Sequence, residues 1–239
     1  VAFDLTYDAF VDEPVTRDEM ARILYEKAVY MAYIIKKGRP QDGIHFDSKA
    51  NTYNYYTMSN NWNTVCNSGI ILSALALFEY DEYRSVAATV TGAGLESLAR
   101  CLLQYAPDGA YIESPSYWYY GTSTYMLLLA GLESAAGTTY GYKDTVGLYK
   151  SFYFAQHITS PSGYYWNYHD SNRGKTARGM FYYASCLWDD PNLAAFRDTE
   201  LGESGTGGLY DMLFYTPGLA SGAEGSGAAP LDYYMKGIE

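Results

Sequence analysis

The chain has little cysteine, little positive charge and no long unbroken apolar run, and each shortage closes a class of explanation. Three cysteines in 239 residues, Cys66, Cys101 and Cys186, stand far apart without CxxC spacing. An odd number excludes a complete disulfide framework, and each falls in an apolar helical segment, so buried free thiols are expected. Sixteen Lys and Arg against 27 Asp and Glu leave a formal net charge of -11. No basic run supplies the footprint that phosphates demand, so nucleic acid is not an expected partner. The acidity weighs only mildly against a polyanionic ligand, because a cleft can be neutral or positive beneath an acidic surface. No apolar run reaches the roughly 18 residues needed to span a bilayer, and Val1-Ala-Phe-Asp-Leu is not a signal peptide. A soluble chain with no membrane partner, metal or cofactor is expected.

What the chain does have is tyrosine, 28 of them against 9 Phe. A phenol joins an apolar ring to a polar tip, so the excess suits a wet aromatic groove that stacks on sugars, or a helical core whose hydroxyls reach its rim. The length fits one large domain with a substantial core.

Helix signals recur along the chain. Thr16 and Glu19 form a capping-box pattern, and Ala21, Leu24, Ala28, Met31, Ala32 and Ile35 repeat at helical spacing, which predicts a helix over about 17–37. Further helices are expected at about 64–79, 82–104, 122–136 (ending at Gly137), 144–157 and 175–188, then a short one capped by Asp190 with Pro191 at its first position. The stretches 39–58, 111–121 and 164–170 read as irregular or extended. Ala106-Pro-Asp-Gly109 reads as a turn. The fold class expected is all-α, an array of antiparallel helix pairs with its irregular polar segments at one end.

Polar side chains crowd one such segment. Asn60, Asn61, Asn63 and Asn67 offer amides and Trp62 a flat ring directly before an apolar helix, a set that suits a ligand bearing hydroxyls and a carboxylate. Asn60 or Asn61 can equally close the free amides of that helix.

Four motifs in order, Asn60-Asn-Trp-Asn-Thr-Val-Cys-Asn-Ser-Gly69, Tyr105-Ala-Pro-Asp-Gly109, Glu113-Ser-Pro-Ser-Tyr-Trp-Tyr-Tyr-Gly121 and Trp166-Asn-Tyr-His-Asp170, resemble the α-toroid domain of the heparinase II/III-like polysaccharide lyases. The resemblance runs over most of the chain. It implies an incomplete α/α toroid over residues 1–219, a Gly- and Ala-rich linker over 220–239 leading to a C-terminal β-sandwich, and a secreted or periplasmic protein that cleaves an anionic, uronic-acid-containing polysaccharide by β-elimination.

The chemistry explains the residue types. The C5 proton of a uronate is too weakly acidic to remove until donors neutralise the neighbouring carboxylate. A base then takes that proton and an acid protonates the O4 leaving group. By motif position the resemblance places the neutralising amide at Asn60 or Asn61, with Asn61 preferred, and the acid or base at Tyr117, with Tyr119 and Tyr120 as neighbours. A free phenol titrates near 10, so a Tyr base needs a cation or hydrogen bonds that favour phenolate; Arg173 and Arg178 are the nearby cations. Relatives complete the site with a His from the β-sandwich, for which His169 is the stand-in here, against the plainer reading of a hydrogen-bonded structural residue. Asn60, Trp62, Glu113, Trp118, Tyr120 and Arg173 are the expected substrate contacts. Two other readings stand beside the lyase. Glu113 and Asp108 are a carboxylate pair of the kind a toroid glycoside hydrolase uses, or a turn acid and a cap, and the chain can be a carbohydrate-binding module without chemistry.

Overall fold

The computed structural model describes residues 16–37, 54–174, 179–204 and 206–223, and most of them are helical. Among the described residues nine α-helices follow one another: α1 Arg17–Leu24, α2 Tyr30–Lys37, α3 Asn61–Leu75, α4 Asp81–Leu102, α5 Pro115–Ala136, α6 Leu148–His157, α7 Met180–Trp188, α8 Pro191–Ser204 and α9 Leu209–Phe214. A π turn, Tyr25–Val29, joins α1 to α2, so the helix expected over 17–37 is present with a wider turn inside it. Among the described residues there is no strand, only an isolated antiparallel bridge between Thr159 and Tyr165. The all-α expectation therefore holds.

The chain divides into two compact units. The first takes in residues 1–54 and 70–95, the second 55–69 and 96–239. In the first, Thr16 Oγ1 accepts the Glu19 N–H at 3.2 Å and starts α1. Ala21 on α1, Val29 in the π turn, Ala32 and Ile34 on α2, and Ile71, Ala74, Ala87 and Val90 on α3 and α4 are buried. Tyr25 stacks on Tyr83 with ring centroids 4.4 Å apart.

The second unit is built round aromatic rings. Phe152 of α6 meets Phe181 of α7 at 5.0 Å and Trp188 at 5.5 Å, both edge-on, and Trp118 of α5 packs edge-on against Phe152 at 5.5 Å. Local punctuation sets several boundaries. Gly137 ends α5 in the left-handed region. Asp190 Oδ1 accepts the Asn192 N–H at 3.0 Å to start α8, while its Oδ2 accepts the hydroxyls of Tyr149 (2.8 Å) and Tyr153 (2.5 Å) from α6. The expected cap is thus also a tie between helices.

Three expectations change. Helix α3 begins at Asn61 rather than Thr64, because Glu113, far along the chain, accepts the Asn61 amide and Asn60 accepts those of Trp62 and Asn63. Helix α5 starts at Pro115, seven residues before the expected Thr122, so most of the aromatic stretch is helical; proline is well suited to the first helical position because it has no N–H to leave unpaired there. Helix α9 lies in the glycine-rich region where none was expected, held by the carboxylate of Asp211. The expectations for residues 1–15, 39–53, 175–178 and 224–239 lie outside the described residues.

Cysteine also departs from expectation. All three thiols are free, but only Cys101 is buried, Cys66 being half-buried and Cys186 exposed. Burial pushes the Cys101 thiol up to about 11, with Thr64 Oγ1 at 2.6 Å from its sulfur. The segment Asp81–Tyr105 is long and apolar enough to cross a membrane by length and composition alone, and 44 % of its most apolar window is buried within the chain.

The turn before α6 shows why glycine is needed there. Gly147 has φ +83°, and a Cβ on it would lie 1.7 Å from the Tyr105 carbonyl oxygen. Backbone strain and overlap act together, so Gly147→Ala is expected to destabilise the second unit by about 2–3 kcal/mol. Urea unfolding followed by tryptophan fluorescence measures this, since Trp62, Trp118, Trp166 and Trp188 all belong to that unit.

Candidate functional site

Glu113 is the hub of the polar cluster. Its two oxygens each lie 3.1 Å from the Asn61 N–H, Asn61 Nδ2 donates to Oε2 at 2.5 Å, and Gln104 Nε2 donates to Oε1 at 2.7 Å. Gln104 Nε2 also donates to the Ser59 carbonyl. A carboxylate from a loop 52 residues away therefore sits on the first amide of α3, where the helix dipole favours negative charge. Asn60 adds an ordinary cap, its Oδ1 accepting the Trp62 N–H at 3.2 Å.

Asn61 is 5 % exposed. A Cβ on Gly121 of α5 would lie 3.7 Å from Asn61 Cβ and 3.9 Å from Thr64 Cβ, so that face of α5 looks onto the first turn of α3. Tyr117 is one helical turn before Gly121 on the same face, and it is half-buried. Burial pushes the hydroxyls of Tyr105 and Tyr111 far above the usual value and that of Tyr168 up to about 12, which removes those three as bases near neutrality.

The start of α5 is strained. Ser114, between Glu113 and Pro115, has φ 98° and ψ 165°, a region costly for any residue with a Cβ by about 1–3 kcal/mol. Its Oγ is buried without a hydrogen-bond partner, as are Asn61 Oδ1 and Gln104 Oε1. The loop bearing His169 is fastened to the same place. Ser171 Oγ accepts the Ser116 N–H at 3.2 Å and lies 2.9 Å from Ser116 Oγ, and the Tyr168 hydroxyl donates to the Tyr111 carbonyl.

The other expected residues are placed as follows. Trp62 and Tyr120 are each 52 % exposed, available for stacking. Trp118 is not: it is fully buried against Phe152 and Phe181, and its indole packs the core instead of facing a ligand. Asn63 and Asn67 are also fully buried. Asn63 Nδ2 serves the carbonyls of Tyr55 and Met58, and both amides reach Ser97 Oγ, so these two hold the chain together. His169 is exposed, with Nδ1 3.6 Å from Asp170, and no described contact sets it against Asn61 or Tyr117. Arg173 is exposed with its guanidinium 4.2 Å from the Tyr164 ring centroid; Arg178 lies outside the described residues. Asp108 Oδ1 receives the Ala110 N–H at 3.4 Å, as in an Asx turn.

Sequence reasoning missed Gln104, Ser114 and Ser171. The first and third act through partners far away in the chain, which leaves no local pattern; Ser114 carried a usable signal in the proline that follows it. The fold and the cluster define a class, an all-α protein with an amide–carboxylate cluster where one helix begins and an aromatic helix faces it. No protein-family model matches the chain, and no curated protein matches its sequence.

Proposed function

We propose that this chain is the α/α-toroid part of a polysaccharide lyase that cleaves a uronic-acid-containing polysaccharide by β-elimination. The observation that supports the reading best is the apposition of Asn61 on α3 with the face of α5 that carries Tyr117 and Gly121. In this reading Glu113 fixes the Asn61 amide, whose nitrogen carries a second hydrogen to offer a substrate carboxylate. Neutralising that carboxylate makes the C5 proton removable. Tyr117, across from the amide, moves the proton at C5 or O4. Trp62 and Tyr120 supply rings for the sugar faces. A secreted or periplasmic setting and a following β-sandwich belong to the same reading.

The hydrolase alternative is weaker on a specific point. Both Glu113 oxygens are occupied by N–H donors from Asn61 and Gln104, so the group is engaged in holding the site and not aimed at a glycosidic oxygen. Incubation of the protein, joined to the β-sandwich that the resemblance implies, with alginate, polygalacturonate and heparan sulfate decides between the classes. A lyase releases a 4,5-unsaturated uronate seen by ultraviolet absorbance. New reducing ends without that absorbance would identify a hydrolase, and a retained but intact polymer would identify a binding module.

A further inference from the structure

The loop after α6 is unusual in being firmly held while presenting apolar surface to water. Tyr165 is buried and bonded on both edges, its N–H to the Gly174 carbonyl at 3.0 Å and its bridge to Thr159. The Trp166 N–H donates to the Ile158 carbonyl at 2.7 Å. Farther along, Tyr168 and Ser171 fasten the loop to Tyr111 and Ser116. Yet Trp166 is 73 % exposed, and a rigid segment has no conformational need to leave an indole in solvent. Side chains alternate along an extended segment, so with Tyr165 turned inward, Tyr164 and Trp166 share the outer face. The Tyr165–Gly174 bond brings the neighbouring Arg173 beside this segment. The observed position of the Arg173 guanidinium, 4.2 Å from the Tyr164 ring centroid, agrees.

We infer that Trp166, Arg173 and Tyr164 form a subsite for one acidic sugar of the polymer, outside the Asn61–Glu113 cluster. The indole covers an apolar pyranose face. Arg173, held over Tyr164 by the cation–π contact, presents a planar fork of donors that matches a carboxylate in two parallel bonds. Its positive charge answers the objection that an acidic chain should repel a uronate, because the charge that matters is the local one. Fixing the groups before the ligand arrives lowers the ordering cost of binding.

The inference rests on a uronate polymer being the ligand, but its test reads binding and not turnover. Affinity electrophoresis through gels containing alginate, polygalacturonate or heparan sulfate, with neutral dextran as control, compares wild type with Trp166→Ala and Arg173→Gln. At least one uronate polymer retards the wild type, and each substitution weakens that retention by about ten-fold, the loss expected on removing one anchor of a binding site. Arg173→Lys recovers only part of it, because a point charge cannot make the paired bonds. Melting temperatures of all variants match wild type, as both side chains are exposed. Variants retained as strongly as wild type, or a wild type retarded by no uronate polymer, overturn the subsite. Sensitive retention, with no unsaturated product released by the protein joined to the β-sandwich that the resemblance implies, leaves the subsite standing and overturns the lyase reading alone.

Discussion

Replacing Arg197 by methionine is expected to cost about 3–5 kcal/mol of stability, the usual result of leaving one partner of a buried ion pair without the other. Arg197 on α8 and Asp211 on α9 are 5 % and 8 % exposed. They meet in a fork, Nε to Oδ1 at 2.8 Å and an Nη2 bond to Oδ2 at 2.9 Å, and the Gly208 N–H adds a third donor at 2.7 Å. The variant keeps the carboxylate in place with one amide to satisfy it. Gly179 packs so closely on this helix that a Cβ there would lie 2.1 Å from the Asp211 nitrogen, which leaves the segment little room to rearrange.

The same pair sets an acid dependence. Burial pushes the Asp211 carboxyl up, but the Arg197 fork and the Gly208 amide outweigh it and hold the group below its ordinary value. A carboxyl depressed by folding stabilises at any pH above its unfolded value, near 4, and that contribution fades as pH falls through the lower folded value. Urea unfolding followed by tryptophan fluorescence should therefore show the gap between wild type and Arg197→Met wide at neutral pH and narrowing in acid. A gap that stays constant with pH would show that the lost stability comes from side-chain packing and not from charge.

Tyr117→Phe is expected to lower kcat by about 10²–10⁴-fold with little change in KM, the range for removing an acid–base group. The substitution takes away one hydroxyl and keeps the ring, so α5 and its packing remain. The measurement is ultraviolet absorbance of the unsaturated product, made on the protein joined to the β-sandwich that the resemblance implies, because catalytic groups that act as a unit lose most of their effect when one is missing. For this chain alone the expectation is weak binding and little or no turnover. Undiminished elimination by Tyr117→Phe removes that residue from the mechanism. A loss confined to Tyr119→Phe or Tyr120→Phe moves the role along the same helix.

Two residues of the candidate site illustrate how far sequence reasoning reached. Asn61 stood out because amides cluster before an apolar run, and the structure sets it at the first turn of α3 beside Glu113. Trp118 stood out for the same kind of reason, an aromatic in a polar-looking motif, and it belongs to the core. Trp118 lies on the side of α5 that packs against Phe152 and Phe181, whereas the side with Gly121 faces Asn61. With Gly121 and the four consecutive aromatics Tyr117 to Tyr120 in the stretch, helical periodicity was masked, the helix was expected to begin seven residues late, and no side could be assigned.

The sequence by itself determined the helical class and the boundaries written in neighbouring residues: Thr16 at the start of α1, Gly137 at the end of α5, and Asp190 with Pro191 at the start of α8. Caps and left-handed terminators act over three or four residues, so their physics is contained in the local pattern. Only the tertiary structure decided that α3 begins under a carboxylate 52 residues away, that Ser171 receives an amide of α5 from 55 residues away, and that Arg197 meets Asp211. Those partners are chosen by how helices pack, and a buried donor or charge must be satisfied by whichever group the packing brings within reach.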